Sequence, residues 1–259
     1  MIEIKNVTFH YSGLDQAGLC DFNLSVTDGE CILLCGASGC GKTTVTRLIN
    51  GLIPHFFKGE LTGDVYVNGL DIKQQELYNL AGIVGSVFQN PRSQFFSVDT
   101  DGEVVFGPEN IGLPKPEILT RKKQVVQELN LNDLLGRSLF DLSGGEKQKI
   151  VIARAVAQTT PWMLLDEPIA SLDIKNQIEI MQTLSELNRQ EGVSVLMVLH
   201  DINLAGIYCD RLIMLKDGQV IAAGNTNECL CEENLKKLYD ISFFHMDTKK
   251  GQRYYYAEI

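Results

Sequence analysis

Apolar and polar residues alternate along the first part of the chain, which is typical of strands with one buried face. Within residues 2–11 the alternation changes parity at Lys5-Asn6. Because neighbouring side chains of a strand face opposite sides of its sheet, this change predicts a bulge or a bend. A second alternating strand is predicted at Phe22–Val26, and a third begins at Gly63 and runs into an Asn-Gly turn at 68–69.

Four other runs are mostly apolar, and such runs predict strands buried on both faces. They are Cys31–Cys35, Ile83–Phe88, Trp162–Asp166 and Val195–Leu199. Between the last two, apolar residues recur every three or four positions and predict an amphipathic helix with an apolar stripe of Ile174, Ile178, Met181, Leu184 and Leu187. A hairpin is predicted at residues 211–223, around an Asp-Gly turn. Strands that alternate with helices indicate an α/β fold with a largely parallel sheet.

The middle of the chain has a different texture. Prolines cluster there, and helical periodicity follows over Val125–Leu131. Residues 90–158 are therefore predicted to form an inserted, mostly helical subdomain. The tail is predicted to contain a short helix and a polar end, in which the run Tyr254–Tyr256 forms an edge strand.

The stretch Gly36–Thr43 reads G-x-x-x-x-G-K-T, and it lies between a predicted buried strand and a predicted helix. This is the context that a phosphate-binding P-loop needs. Its glycines let the backbone approach a polyphosphate, and the free N–H groups and dipole of the helix start hold the anion. Lys42 is expected to reach the outer phosphates, and the Thr43 hydroxyl to ligate Mg²⁺. The P-loop alone does not separate kinases, GTPases and ATPases.

Length and charge narrow the classes of partner. The 259 residues leave room for one nucleotide-binding domain with subdomains, but not for two. A net charge of −10 argues against broad contact with nucleic acid or anionic lipid. No apolar run approaches the about 20 residues of a membrane span, and residues 1–5 do not resemble a signal peptide. We therefore expect the chain in the cytoplasm, with any membrane role running through a protein partner.

The seven cysteines are expected to be free thiols, since their number is odd and their spacing is not that of a metal finger. Cys40 lies within the anion-binding turn at a helix start, a position that lowers a thiol pKa. The sequence leaves open whether Cys40 is reactive or inert.

Polar residues follow the predicted buried runs. Asp166 and Glu167 end one run, Gln89 follows another and His200 a third. Asp166 can hold the shell of a Mg²⁺ ion, and Glu167 can take a proton from an attacking water or orient it. Taken singly, the two acids also fit a solvated loop, and a histidine at a strand end also fits a structural role.

The stretch Leu142–Gln148 reads L-S-G-G-E-K-Q. With the P-loop, Gln89, the Asp-Glu pair at 166–167 and His200 in this order, it resembles the ATP-binding-cassette (ABC) ATPases. The resemblance implies an α/β P-loop NTPase fold, in which a RecA-like core with an antiparallel β subdomain carries the inserted α-helical subdomain. It extends to about Gly224, so residues 1–225 are expected to form the ABC ATPase domain and residues 226–259 a short C-terminal extension.

The resemblance also implies a mechanism. Two cassettes close head to tail around two ATPs, and Ser143 at a helix start grips the γ-phosphate of the ATP on the opposite P-loop. Gln89 is expected to sense Mg²⁺ and water and to link to the membrane partner, and His200 to contact the γ-phosphate. Tyr11 is expected to stack on adenine, and Asp173, at the end of Ser171-Leu172-Asp173, to couple the two sites.

The implied site falls into three groups of residues. Catalytic roles are expected of Lys42, Gln89, Glu167 and His200. Contacts to ATP are expected from Tyr11, Gly36, Ala37, Ser38, Gly39, Cys40, Gly41, Lys42, Thr43, Thr44, Ser143, Gly144, Gly145 and Asp173. Mg²⁺ is expected to be held by Thr43, Gln89 and Asp166.

Two subfamilies share the finer resemblance. Gln89–Phe96 and Phe106–Pro114 resemble the energy-coupling factor (ECF) ATPases, which drive uptake of vitamins and of cobalt or nickel. In that family this stretch receives a helix of the transmembrane T component, and Phe95 and Phe96 would form the apolar floor of the groove. Ordinary core packing is the alternative reading of the two rings. Residues 171–177 and 199–205 are closer to ATPases of siderophore and cobalamin importers.

The first hypothesis is thus the ATPase subunit of an importer at the cytoplasmic face of the membrane, paired with a second copy or a related ATPase subunit. The second is an ABC protein acting on DNA or ribosomes, which the acidic charge and the single cassette disfavour. A P-loop kinase or GTPase leaves residues 142–148 unexplained. The cargo, the direction of transport and fusion into a longer protein stay open.

Overall fold

The structure is a computed structural model that describes residues 1–13, 17–170, 172–248 and 252–258. Its strands are β1 (Ile2–Tyr11), β2 (Ala17–Val26), β3 (Cys31–Gly36), β4 (Gly59–Val67), β5 (Leu70–Asp71), β6 (Val84–Val87), β7 (Trp162–Asp166), β8 (Ser194–Val198), β9 (Arg211–Lys216), β10 (Gln219–Asn225), β11 (Phe243–Asp247) and β12 (Arg253–Ala257). Its helices are α1 (Lys42–Ile49), α2 (Leu52–His55), α3 (Leu77–Ala81), α4 (Thr100–Asn110), α5 (Lys115–Glu128), α6 (Gly144–Ala157), α7 (Ile174–Glu191), α8 (Ile202–Tyr208), α9 (Thr226–Cys229) and α10 (Glu232–Tyr239).

The central sheet has six strands in the order β10-β9-β3-β8-β7-β6. Five of them run parallel, and β10 is antiparallel to β9. The four mostly apolar runs of the sequence supply β3, β6, β7 and β8, which confirms the prediction of a largely parallel sheet. The carboxyl ends of these four strands meet at one edge, where open α/β sheets bind ligands.

A second, antiparallel sheet has the order β2-β1-β4-β5. The pairing of β1 shifts register between Ile4 and Val7, and Asn6 there has a φ of 49°. This confirms the bulge that the change of parity predicts. The predicted Asn-Gly turn joins β4 to β5, with φ of 49° at Asn68 and 77° at Gly69, as a tight hairpin turn requires.

The parallel sheet separates two hydrophobic cores. Ile32, Leu34, Leu164 and Val198 face the antiparallel sheet and α1. Leu33, Leu165, Met197 and Met214 face the opposite side, where α6, α7 and the C-terminal elements pack. Because successive side chains of a strand point to opposite faces, each buried strand serves both cores.

Helices α4, α5 and α6 follow β6, and α4 and α5 both pack against α6. The buried carboxylate of Glu103 in α4 pairs with Arg154 of α6 at 2.5 Å. It also accepts hydrogen bonds of 2.9 Å from the backbone N–H groups of Phe96 and Ser97. The ion pair thus ties the segment after β6 to α6. The boundaries predicted at 90–158 and at 225 stay predictions.

Helix α7 forms as predicted, but its first turns leave part of the apolar stripe uncovered. Ile174 is 76% exposed and Ile178 is 40% exposed, whereas Ile180, Met181 and Leu184 are buried. Two residues of the stripe, Ile174 and Ile178, are therefore not covered by this chain. The three-and-four spacing of apolar residues identifies a helix, but it does not tell whether the same chain covers each turn of the apolar stripe.

The tail holds more structure than the predicted short helix, namely α9, α10 and a two-stranded ribbon of β11 and β12. Tyr254–Tyr256 lie in β12, so the run is a strand, but it is not an edge of either larger sheet. Tyr255 alone of the three is buried. Its backbone N–H donates to Asn203 Oδ1 at 2.7 Å and its hydroxyl donates to the carbonyl of Leu230, which attaches the ribbon to the body.

Within the part of the chain that the structure describes, no helix combines the length and the apolar character needed to span a membrane.

Candidate functional site

A cleft of about 440 Å³ opens between the antiparallel sheet and the carboxyl edge of the parallel sheet. It is lined by Tyr11, Gly18, Ser38, Gly39, Gly41, Lys42, Thr43, Thr44, Arg47, Gln89, Glu167 and His200. A second cavity of about 460 Å³ lies against the C-terminal ribbon and is lined by none of the predicted site residues. The first cleft is therefore the candidate functional site.

The P-loop joins β3 to α1, and two of its glycines are required by space. A Cβ on Gly36 would lie 2.2 Å from the carbonyl oxygen of Leu215, and one on Gly41 would lie 2.6 Å from that of Gly18. Among the described residues, no side chain caps the start of α1 at Gly41. The first N–H groups of the helix are therefore free to bind an anion.

The ammonium group of Lys42 lies within the loop, and the residue is only 6% exposed. Nζ donates hydrogen bonds of 2.8 Å to the carbonyls of Gly36 and Ala37. The third donor of the ammonium faces Cys40 Sγ at 3.8 Å, a weak acceptor that a phosphate oxygen can replace. Among the described residues no carboxylate forms an ion pair with Lys42. A buried positive charge without a counter-ion fits a site for phosphate.

Thr43 and Asp166 place two oxygen groups beside each other, since Thr43 Oγ1 donates to Asp166 Oδ2 at 3.2 Å. Burial raises the pKa of the Asp166 carboxyl, and the hydrogen bond from Thr43 opposes that rise. The described residues contain no cluster of three His, Cys, Asp or Glu side chains that could hold a metal by themselves. A hydroxyl and a carboxylate fit Mg²⁺, which takes most of its ligands from water and substrate phosphates.

Glu167, which follows β7, contacts the polar residues that follow β6 and β8. Its carboxylate accepts a hydrogen bond of 2.7 Å from Gln89 Nε2 and lies 2.7 Å from His200 Nε2. Its φ of 52° is uncommon for a residue with a side chain other than Asn or Asp. The sheet thus brings together three of the predicted catalytic residues, which are far apart in the sequence.

Tyr11 lies at the other end of the cleft. Its hydroxyl is 3.1 Å from Thr44 Oγ1 and accepts a hydrogen bond of 3.0 Å from Arg47 Nη1. Sequence reasoning missed Arg47 and Gly18. The signal for Arg47 was its position three residues after Thr44, which places both on one face of α1. Gly18 gave no local signal, because its role is to leave space beside the Tyr11 ring across two strands.

Several predicted residues do not line the cleft. Gly36, Ala37 and Cys40 belong to the P-loop but not to the cleft wall, and Cys40 is buried. Asp166 reaches the cleft through Thr43. Ser171 lies outside the described residues.

The Ser143–Gly145 stretch and Asp173 also lie away from the cleft. Ser143 is the N-cap of α6, where its hydroxyl and the Glu146 side chain form a reciprocal capping box. Asp173 caps α7 by accepting from the Asn176 N–H at 2.8 Å. Both helix starts are at the surface, so the chain's own cleft does not contain all of the predicted ATP contacts.

The comparison with known families decides the class of this site. The sequence profile described as "ABC transporter" matches residues 19–170, which is more than half of the chain. This chain belongs to the ABC transporter family. It carries the ATPase domain of that family, with the P-loop NTPase fold.

Relatives by sequence agree with this assignment. An ABC transporter ATP-binding protein of Treponema denticola is 44% identical over 220 residues, which are 85% of this chain and 45% of the relative. One of Methanosarcina mazei is 37% identical over 92% of this chain and 41% of its own length. One of Pyrococcus abyssi is 35% identical over 88% of this chain and 81% of the relative. The chain thus spans less than half the length of the first two.

Solved structures are similar over nearly the whole chain. The CbiO1 protein of Clostridium perfringens, part of the ABC transporter complex CbiONQ, has a TM-score of 0.79 and 28% identity over 91% of this chain and 92% of its own. A dimeric ATP-binding cassette in a post-hydrolysis state, bound to ADP and Pi, has a TM-score of 0.77 and 30% identity over 87% of this chain and 99% of its own. A metal-chelate type ABC transporter in an inward-facing conformation has a TM-score of 0.80 and 25% identity over all of this chain and 97% of its own.

Proposed function

We propose that this chain is the ATP-hydrolysing subunit of an ABC importer, of the energy-coupling factor type, which powers uptake of a vitamin or a transition-metal ion. It would act at the cytoplasmic face of the membrane through a transmembrane partner. The observation that carries the proposal is the contact of Glu167 with Gln89 and His200 at the mouth of the P-loop cleft. A carboxylate held by two such groups is suited to orient a water and accept its proton.

The cleft offers separate groups for each part of ATP. Lys42 and the free N–H groups of α1 would bind the phosphates. Thr43 and Asp166 would hold Mg²⁺, which supplies neutralisation of phosphate charge when it is bound. Gln89 would orient both the metal shell and the attacking water, and Tyr11 would contact the base.

The surface position of the other predicted contacts supports a head-to-tail dimer. Ser143, Gly144 and Gly145 begin α6 in an exposed turn, outside the chain's own cleft. A second cassette placed face to face would bring this helix start to the opposite P-loop. The dimeric structure of the related cassette with ADP and Pi supports this arrangement. The second subunit would be another copy or a related ABC subunit.

A groove of about 250 Å³ between β6, α4 and α6 supports the proposal that this chain binds a transmembrane partner. The Phe96 ring is 68% exposed there and stacks on Phe106 with a centroid distance of 4.4 Å. Phe95 instead packs against the core. Only Phe96 of the predicted pair would therefore receive a partner helix. The likeness to CbiO1, itself part of a transporter complex, favours the energy-coupling factor type.

A siderophore or cobalamin importer is the second candidate. The metal-chelate type transporter, whose structure matches all of this chain, supports it. The two candidates share the same ATPase chemistry and differ in partner and cargo.

The Glu167→Gln variant tests the proposal. It should bind ATP, lose turnover and form a dimer on addition of ATP and Mg²⁺, because the charge that activates water is gone while the binding groups remain. Gel filtration with light scattering measures the dimer. Glu186→Gln, in the exposed face of α7, is the matched control and should keep wild-type turnover. A Glu167→Gln chain that hydrolyses ATP normally would contradict the role of this carboxylate.

The importer assignment is tested by whether the chain binds an integral membrane protein. The tagged chain, isolated from membranes of its source cells, should retain an integral membrane protein, whose identity separates the two importer types. Stimulation of the ATPase by nucleic acid, with no membrane subunit retained, would favour the second class of ABC protein instead.

A further inference from the structure

The aromatic end of the cleft contains a network that the mechanism above does not use. Arg47 Nη1 donates to the Tyr11 hydroxyl, and the guanidinium carbon lies 3.8 Å from the centre of the Phe57 ring. The Tyr11 ring meets Phe9 edge-on at 4.7 Å and Phe57 edge-on at 6.3 Å. One arginine of α1 therefore binds two aromatic residues from the antiparallel sheet side to the helix that begins at the P-loop.

Two consecutive threonines, Thr43 and Thr44, contact opposite ends of the cleft. The Thr43 hydroxyl contacts Asp166, next to Glu167. The Thr44 hydroxyl contacts Tyr11. A nucleotide whose phosphates bind the P-loop, with the terminal phosphate toward Glu167, would therefore point its base toward Tyr11.

The Tyr11 ring is held on several sides. A Cβ at Gly18 would lie 3.0 Å from its Cε2 atom, so a larger residue there would push the ring by a few tenths of an ångström. Its hydroxyl is fixed by Thr44 on one side and Arg47 on the other. Arg47 is itself fixed by Phe57, since a planar guanidinium packs well on an aromatic face.

We propose that Arg47 is a positioning residue for the base of the nucleotide. It holds Tyr11 in the orientation in which the ring contacts the base, so that binding does not have to immobilise the ring. The inference rests on the proposed nucleotide-binding function of the cleft. It assigns Arg47 to the base end of the ligand, not to its phosphates.

The Arg47→Met variant tests this role, because methionine keeps much of the volume and loses the donor and the charge. The KM for ATP should rise about tenfold with kcat nearly unchanged, as expected when a charge-assisted hydrogen bond is lost from binding alone. Tyr11→Phe removes the same hydrogen bond from the other side, together with the contact to Thr44, and should raise KM at least as much. The two effects on KM should be less than additive in the double variant, since both single variants remove the contact between Arg47 and Tyr11.

Inorganic tripolyphosphate distinguishes binding of the phosphates from binding of the base. It has no base, so its inhibition constant against ATP hydrolysis should be the same in the wild type and in Arg47→Met, within about twofold. A loss of general structure around the P-loop would weaken tripolyphosphate and ATP alike. Arg189→Met, an exposed arginine in the last turn of α7, is the matched control and should change neither constant.

The outcomes are distinct. Equal weakening of tripolyphosphate and ATP, a fall in kcat at constant KM, or additive effects of the two single variants would each overturn the role of Arg47. If Arg47→Met does not fold, Arg47→Lys provides the measurement, because lysine keeps the charge but loses the planar contact with Phe57, and KM should rise in the same direction. A wild-type chain that binds neither ATP nor tripolyphosphate would refute the proposed function itself.

Discussion

At the scale of single residues, burial differs among the cysteine thiols of the chain. Cys40 lies in the turn of the P-loop, and the sequence leaves open whether its thiol is reactive or inert. The structure buries it to 5% exposure, with its Sγ 3.8 Å from Lys42 Nζ. The neighbouring Cys35 is buried as well, and burial, with a smaller effect of Cys40, raises the pKa of its thiol to about 12. Access, more than charge, therefore decides which thiols of this chain react.

We predict that a bulky thiol reagent modifies Cys20 and Cys231 first, because these two of the seven free cysteines are partly exposed. Timed labelling with mass spectrometry of the native chain measures this order. The Cys20→Ser, Cys231→Ser double variant should lose the fast phase, and Cys40→Ala should keep it. Rapid inhibition that ATP prevents and Cys40→Ala abolishes would instead show that the thiol in the loop is accessible.

At the scale of elements, α6 has its start fixed by its own sequence. Ser143 accepts from the Glu146 N–H, and Glu146 accepts from the Ser143 N–H at 2.7 Å. This backbone hydrogen bond lowers the pKa of the Glu146 carboxyl, with a smaller contribution from Arg137. The capping box fixes the turn that the proposed dimer would present to the opposite nucleotide.

Glu146→Ala should lower the free energy of unfolding by about 1 kcal/mol at pH 7, as for loss of a helix cap. The folded pKa lies below the ordinary 4.5, so the carboxylate's contribution is complete above that pH. It is lost as the pH falls through the folded pKa, and the difference between wild type and variant should shrink there. Urea unfolding followed by the fluorescence of buried Trp162 measures it.

Glu186→Ala, on the exposed face of α7, is the control for Glu146→Ala and should have little effect at either pH. A difference between wild type and Glu146→Ala that grows on acidification would have the wrong sign for a depressed carboxyl pKa.

At the scale of the whole molecule, the proposed ATP site is divided between two separate surfaces of the chain. The cleft holds the P-loop, Glu167 and His200, and the helix start at Ser143 lies elsewhere on the surface. If two copies pair head to tail, each site takes one half from each copy. Defects in opposite halves should then complement each other.

Lys42→Ala and Ser143→Arg should each abolish turnover, and an equimolar mixture should regain about a quarter of the wild-type rate, since half of randomly paired dimers hold one intact site of two. Steady-state ATPase assays of each variant and of the mixture measure this. Two Lys42→Ala preparations mixed together form the control. An inactive mixture, with an active wild type, would contradict pairing of this chain with itself.

Much of the fold could be predicted because its signals are local. The strand–turn–helix of the P-loop, the bulge at Asn6 and the turn at Asn68 depend on residues within a few positions of each other. The exposure of Ile174 and the docking of Tyr255 could not be predicted in this way, because they depend on which distant surface covers an apolar side chain.

The order of the motifs by itself determined the family and named the candidate reacting groups, since each motif is a short stretch whose chemistry follows from its residue types. The tertiary structure decided how those groups meet. The parallel sheet brings the ends of β6, β7 and β8 to one edge and sets Gln89 and His200 within 2.7 Å of Glu167. It also joined Arg47, Gly18 and Tyr11 at the opposite end of the cleft, because contacts between elements far apart in the chain arise only from packing.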